Sequence, residues 1–211
     1  MPQVLKEEMR ARILAAALEE FASRGYPATT MASIAARAGT GAAGLYRYFE
    51  SKEALFAAVV PAPIARSFES LLSRRVRSLA AAAGAKEDTG DEMLAFWEAH
   101  RLAVVILLDR AEGTPYEHFG ARFVDQLVDL TSAEFRRATP GLVMDAPTRF
   151  VLRRIFENTR SMIASILEAH EDSANMRSAI AAFWAYQIAG LQGFARRATK
   201  GRAPRSRSTR A

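Results

Sequence analysis

No cysteine occurs among the 211 residues, which excludes a disulfide framework, a thiolate metal site and a cysteine nucleophile. No run approaches the roughly 18 consecutive apolar residues of a membrane-crossing helix, and the opening stretch MPQVLKEEMR lacks the apolar centre of a signal peptide. Histidine is scarce as well. His100, His118 and His170 lie on separate segments, and there is no HExxH spacing, glycine-rich phosphate loop or nucleophile elbow. An enzyme is therefore not expected, no cofactor or metal is implied, and His170-Glu171-Asp172 reads as a polar turn between helices. β-Branched runs are also few. Half of the residues are hydrophobic and alanine is abundant, a balance that favours an all-α protein. The length suffices for one large or two small helical domains with a substantial core. The expected location is the cytoplasm, with no membrane partner.

The net charge of +6 invites a nucleic-acid argument, but its position weakens it. Arg196, Arg197, Lys200, Arg202, Arg205, Arg207 and Arg210 fall in the last sixteen residues, where no acid occurs. Taking these seven from the 29 basic groups leaves 22 against 23 acids, so the body is nearly neutral. A case for DNA has to rest on a motif. The tail 200–211, KGRAPRSRSTRA, has no apolar anchor and is expected to be disordered. It either adds salt-sensitive attraction to DNA or merely solubilises the end of the chain; deletion should lessen the salt slope of DNA binding only in the first case.

That motif lies in residues 29–55, TTMASIAARAGTGAAGLYRYFESKEAL. Thr29 or Thr30 can cap a short helix whose Met31, Ile34, Ala35 and Ala38 share an apolar face. Gly39 can adopt the left-handed conformation that ends this helix and turns the chain. A second helix is expected over 41–49, with Ala42, Leu45 and Phe49 inward and Gly41, Ala43, Gly44, Arg47 and Tyr48 towards solvent. Tyr46 falls at the margin. Tyrosine hydroxyls and an arginine fork on one face suit phosphate oxygens and a groove floor. The spacing therefore predicts a helix-turn-helix; a plain helical hairpin is the alternative.

Ile34-Ala35, Ala38-Gly39, Leu45-Tyr46-Arg47-Tyr48-Phe49 and Ser51-Lys52-Glu53-Ala54-Leu55 together resemble the DNA-binding domain of the TetR family of transcriptional regulators. The resemblance covers roughly residues 10–60. It implies an N-terminal three-helix helix-turn-helix DNA-binding domain followed by a helical C-terminal ligand-binding and dimerisation domain. It also implies a double-stranded DNA operator, a small-molecule effector and a homodimer as partners. Carried over by position, Tyr46, Tyr48 and Lys52 would contact phosphates, while Thr40, Ala43, Gly44 and Arg47 would face the bases. Thr30 and Gly41 complete the candidate DNA-binding set. The family commonly has a hydroxyl residue where this chain has Gly41 and a threonine where it has Gly44. A glycine inside a helix costs about 1 kcal/mol relative to alanine, so packing through Leu45 and Phe49 has to compensate. The small face of residues 41–44 would let the backbone sit deep in the major groove, with Arg47 as the main reader and Thr40 or Ala43 on a thymine methyl. The family's habit implies a repressor released by its ligand. The alternative is a helical ligand-binding or protein-interaction module that has lost sequence-specific DNA binding, against which retention of Tyr46, Arg47, Tyr48 and Lys52 argues.

The expected domains are a head over 1–50, a body over 51–199 and the tail over 200–211. Residues 1–8 read as an arm, and Lys6, Arg10 and Arg12 are candidates to reach DNA beside the motif. A first helix over 6–24 buries Ile13, Leu14, Ala17, Leu18 and Phe21, then stops at Gly25 and Pro27. Ser51 caps a helix over 52–60, after which Pro61-Ala62-Pro63 forms a hinge or a simple break. Body helices are expected over 64–83, with Ile64, Phe68, Leu71, Leu72, Val76 and Leu79 on one face, and then over 91–110, 116–137, 148–169 and 173–199. The second and third carry the candidate ligand set, Phe96, Trp97, His100, Val104, Tyr116, Phe119 and Phe123, which suits a small apolar or aromatic effector. An ordinary helical core is the competing reading. The last two helices have more apolar surface than one neighbour needs. Dimerisation through them is implied by the family, with Phe156, Ile163, Phe183, Trp184 and Leu191 as the candidate interface.

Overall fold

The first helix already departs from its expected bounds. In the computed structural model, which describes residues 3–80, 89–138 and 144–200, α1 (Gln3–Ala28) runs through Gly25, where a positive φ of 76° kinks it ahead of Pro27. Residues 81–88, at and after the end of the first expected body helix, and 139–143, between two later ones, lie outside the described residues. So do the tail from 201, Met1 and Pro2 of the arm, and the side chains of Val76 and Leu79. Among the described residues the chain is helix and turn without a strand, an all-α fold.

Three short helices complete the head around α1: α2 (Met31–Arg37), α3 (Ala42–Tyr46) and α4 (Lys52–Val59). Ile13, Ala17 and Phe21 are fully buried on α1, and Ile34, Leu45, Leu55 and Phe56 meet them from the other helices. Fully burying an apolar side chain of this size stabilises by about 1.5–3 kcal/mol, far more than a five-residue helix supplies alone. Ser51 caps α4 as expected, its hydroxyl accepting from the Ala54 N–H at 3.1 Å.

The body comprises α5 (Ala62–Ala80), α6 (Thr89–Ala99), α7 (Arg101–Val105), α8 (Phe119–Ala138), α9 (Ala146–Ala169) and α10 (Ser173–Lys200). The helix expected over 91–110 is divided. His100, at φ −126° and ψ 26°, interrupts it, and residues Ile106–Arg110 widen into a π-helical turn. Arg160 of α9 holds that turn, donating to the Leu108 carbonyl at 3.2 Å and pairing with Asp109 at 3.2 Å. A helical period cannot foretell this, because the interruption is satisfied from a distant helix. His170-Glu171-Asp172 is a turn, as read, and the Asp172 carboxylate accepts from the Asn175 N–H at 2.8 Å to start α10.

Head and body meet where the C-terminal half of α1 packs on the π turn. Phe21, Tyr26 and Phe56 have ring centroids 5.2–5.6 Å apart, and Tyr116 of the body extends the cluster at 6.4 Å from Phe56. No single helix among the described residues is long and apolar enough to cross a membrane. α4 and the first part of α5 reach that length only together, across a 42° bend.

Candidate DNA-reading helix and body cavity

Thr30 begins the motif with a reciprocal cap. Its hydroxyl accepts from the Ser33 N–H at 3.1 Å, while the Ser33 hydroxyl oxygen accepts from the Thr30 N–H at 3.2 Å. Thr29 does not cap; it is buried, and its hydroxyl bonds the Gly25 carbonyl at 2.8 Å. Gly39, at φ 67°, turns the chain out of α2. Arg12 of α1 closes the same corner, donating to the Ala38 carbonyl at 2.6 Å. Arg10 lies 5.4 Å from the centre of the Phe49 ring. Both arginines named as candidates for DNA thus have bracing contacts within the head.

Five residues make up α3, fewer than the nine expected: Gly41 stands at its N-cap in extended backbone without a side-chain hydrogen bond, and Arg47 is already its C-cap. Leu45 and Phe49 are buried as expected. Ala42 is exposed instead, since the helix only begins there and its first turn faces outward. Gly44 is half-buried, and a Cβ added to it would lie 2.5 Å from the Thr40 hydroxyl, so the bare backbone makes room for Thr40. The two tyrosines divide. Tyr46 is 53% exposed, whereas Tyr48 is half-buried against the core rather than turned to solvent. Arg47 is exposed, and its side chain forms no hydrogen bond or ion pair with any described residue. Ala42, Ala43, Tyr46 and Arg47 thus form the outward face of α3.

Lys52 is largely engaged. Its ammonium donates to the carbonyls of Tyr26 and Thr29, each at 3.0 Å, and sits 4.1 Å from the Tyr26 ring centre. One of its three donors is left for a phosphate. Tyr26 also donates its hydroxyl to Glu53 at 2.7 Å. Burial, then this contact with Glu53, pushes the Tyr26 hydroxyl up to about 12, and the same hydrogen bond holds Glu53 below the usual carboxylate range. Sequence reasoning missed a second clamp. Arg37 of α2 bonds Glu20 at 2.7 Å and Glu19 at 3.0 Å on α1. Burial opposes the charge on Glu20, but hydrogen bonds involving Arg37 and Ser33 and the charges of Arg37 and Arg24 hold its carboxyl below the ordinary value. The signal was present: Glu20 interrupts the buried stripe between Ala17 and Phe21, and a carboxylate there needs a partner.

A cavity of about 540 Å³ lies among α5, α6, α8, α9 and α10, with Leu72, Met93, Trp97, Phe123, Phe156, Ile163 and Trp184 in its walls. Of the expected ligand set it takes Trp97 and Phe123 only. Phe96 stacks on Phe68 and meets the His100 ring at a tilt, Val104 is core, and Phe119 stacks on Phe68. Tyr116 lines a separate cavity of about 250 Å³ at the head–body junction, with Tyr26 and Glu53. The expected interface residues are displaced inward. Phe156 and Ile163 are buried in the chain's own core, and Trp184 and Leu191 line the large cavity beside them. Phe183 packs half-buried on Trp184 at 5.6 Å. Apolar spacing marked the right helices but could not say which of their two apolar faces turns inward. The exposed large apolar residues on these helices are Phe150, Val151, Met162, Tyr186 and Ile188.

Residues 13–59 match the family model described as bacterial regulatory proteins, tetR family. No curated protein matches the chain. Among solved structures, it is similar to NalD of Pseudomonas aeruginosa, the secondary repressor of the MexAB-OprM multidrug efflux pump. Identity there is 21% over 86% of this chain and 96% of that one, with a TM-score of 0.39. It is also similar to the fatty acid degradation regulator FadR of Bacillus halodurans, at 15% identity over 81% and 92% of the two chains and a TM-score of 0.40. A TetR-family regulator of Pectobacterium atrosepticum gives 23% identity over 88% and 95%, with a TM-score of 0.36. These whole-chain likenesses are loose. The matched segment, by contrast, spans the head from Ile13 on α1 to the end of α4, with the capped α2, the Gly39 corner and the outward face of α3 inside it. The head of this chain thus matches the model for bacterial regulatory proteins of the tetR family, and the match ends with α4.

Proposed function

We propose that this chain is a repressor, a cytoplasmic homodimer on a palindromic operator that releases DNA when a small apolar or aromatic molecule enters the 540 Å³ cavity. The observation that carries the reading is the cavity's position. Leu72 and Arg75 of α5 line it, and α5 follows directly on α4, which packs on α1 in the head. A ligand that displaces α5 therefore acts on the spacing of two α3 helices, which must match half-sites about 34–36 Å apart. The working division is a head over 1–50 and a body over 51–199, with α4 serving both.

A dimer surface is supported by α9 and α10. Val151 and Met162 are exposed on α9, and Ser178, Ala181, Ala182, Ala185, Tyr186 and Ala189 are exposed along α10. Small residues there allow a second helix pair to approach closely. Arg47 and Tyr46 are the proposed base and phosphate contacts, Thr40 and Ala43 lie beside them, and Thr30, Gly41, Gly44, Tyr48 and Lys52 hold the frame. Footprinting of the preferred site should show two symmetric halves occupied by two chains, and transcription from the adjoining promoter should rise when the gene is deleted. A one-chain footprint would sink the dimer, and a fall in transcription would make the protein an activator. The uncapped, five-residue α3 favours one rival, a helical binding module without a DNA code.

A further inference from the structure

Gln187 is a polar side chain in an apolar wall. It is 5% exposed, lines the large cavity from α10, and donates its amide N–H to the Thr159 hydroxyl oxygen at 2.9 Å. The Thr159 hydroxyl in turn donates to the Ile155 carbonyl at 2.9 Å. Because the threonine's only hydrogen is committed, it can serve Gln187 solely as an acceptor, which fixes the carboxamide with its nitrogen towards Thr159. The amide oxygen and second N–H are then left without a partner among the described residues. A buried amide in that condition loses free energy that a complementary group would restore. Trp97 of the same cavity repeats the pattern, for its indole N–H is buried with no acceptor. Charge is sparse and of both signs: Arg75, Glu134 and Arg196 are the charged residues of the described lining.

We infer that the effector is a neutral, largely apolar molecule bearing one group that both donates and accepts a hydrogen bond, a hydroxyl, phenol or amide, received by the Gln187 carboxamide. This rests on the cavity being the effector site. Equilibrium dialysis of the full chain against naphthalene, 2-naphthol, 2-methoxynaphthalene and 2-naphthoate tests it, because the four share a ring system and differ in polarity. 2-Naphthol should bind about tenfold more tightly than naphthalene, and more tightly than the ether, which cannot donate. Gln187→Met keeps the side chain's length and should erase that preference while naphthalene still binds, which also shows that the variant is folded. Equal binding of 2-naphthol and naphthalene by the unaltered chain overturns the inference, as does a preference that survives Gln187→Met. 2-Naphthoate as the tightest of the four overturns it too, since recognition would then belong to Arg75 and Arg196. If none of the four binds, the cavity is not the effector site and the proposed ligand release fails with it.

Discussion

Replacing Gly39 by alanine tests whether the corner between α2 and α3 is held as described. A side chain at φ 67° pays the left-handed penalty, about 1–2 kcal/mol. The new Cβ would also stand 2.5 Å from the Arg12 guanidinium, so that group must leave the Ala38 carbonyl it meets at 2.6 Å. That hydrogen bond is charge-assisted but Arg12 is exposed, so losing it costs about 0.5–1 kcal/mol. The sum is about 1.5–3 kcal/mol, or a fall in melting temperature of about 3–12 °C for a chain of this size. Thermal unfolding of Gly39→Ala, Arg12→Ala and the double variant, with amide exchange followed in α2 and α3, measures both parts. In the Arg12→Ala background the glycine change should cost only the backbone strain, leaving a coupling of about 0.5–1 kcal/mol. A loss under about 0.5 kcal/mol for Gly39→Ala would refute the reasoning, because neither the strain nor the displaced guanidinium would then be real.

Arg47→Ala should weaken binding to the preferred operator by about 1–3 kcal/mol and to random DNA by less, in a paired titration at one salt concentration; equal losses would make Arg47 a phosphate contact. Tyr186→Glu, at a position 75% exposed, should leave the helical content intact and turn a sedimenting dimer into a monomer; a persisting dimer would move the interface elsewhere. Acid should destabilise the fold through Glu20 and Glu98. Burial of Glu20 is outweighed by Arg37, and Glu98 is held by Arg177 and then Ser173, so both carboxyls lie below their ordinary 4.5 in the folded chain. A depressed carboxyl pKa contributes stability that is present above pH 4.5 and lost as pH falls through the lowered value. Melting curves should therefore drop below pH 4.5, and Glu20→Gln should remove part of that drop; an unchanged slope would show that Glu20 is not linked to folding.

The helical class and the motif were legible because they depend on neighbours in sequence. Thr30, Gly39, Leu45 and Phe49 act within a few residues of themselves, so period and cap chemistry suffice. What the pattern could not carry were contacts made across the chain. His100 and the π turn break a helix that looks continuous, since Arg160 satisfies the freed Leu108 carbonyl from 52 residues away. Lys52 looked free for phosphate because nothing in its surroundings announces the Tyr26 and Thr29 carbonyls. Phe156 and Ile163 looked like interface for a similar reason. A helix with two apolar faces shows how much it buries, not which face meets its own chain.

The most direct test of the regulator itself is selection of genomic DNA fragments by the purified chain, followed by titration of the best fragment against random DNA at fixed salt. A reading helix led by Arg47 predicts a palindromic site bound at least about a thousandfold more tightly than random sequence. Salt-sensitive binding with no sequence preference would contradict the account: the short, uncapped α3 would then carry no code, and attraction to DNA would be charge alone.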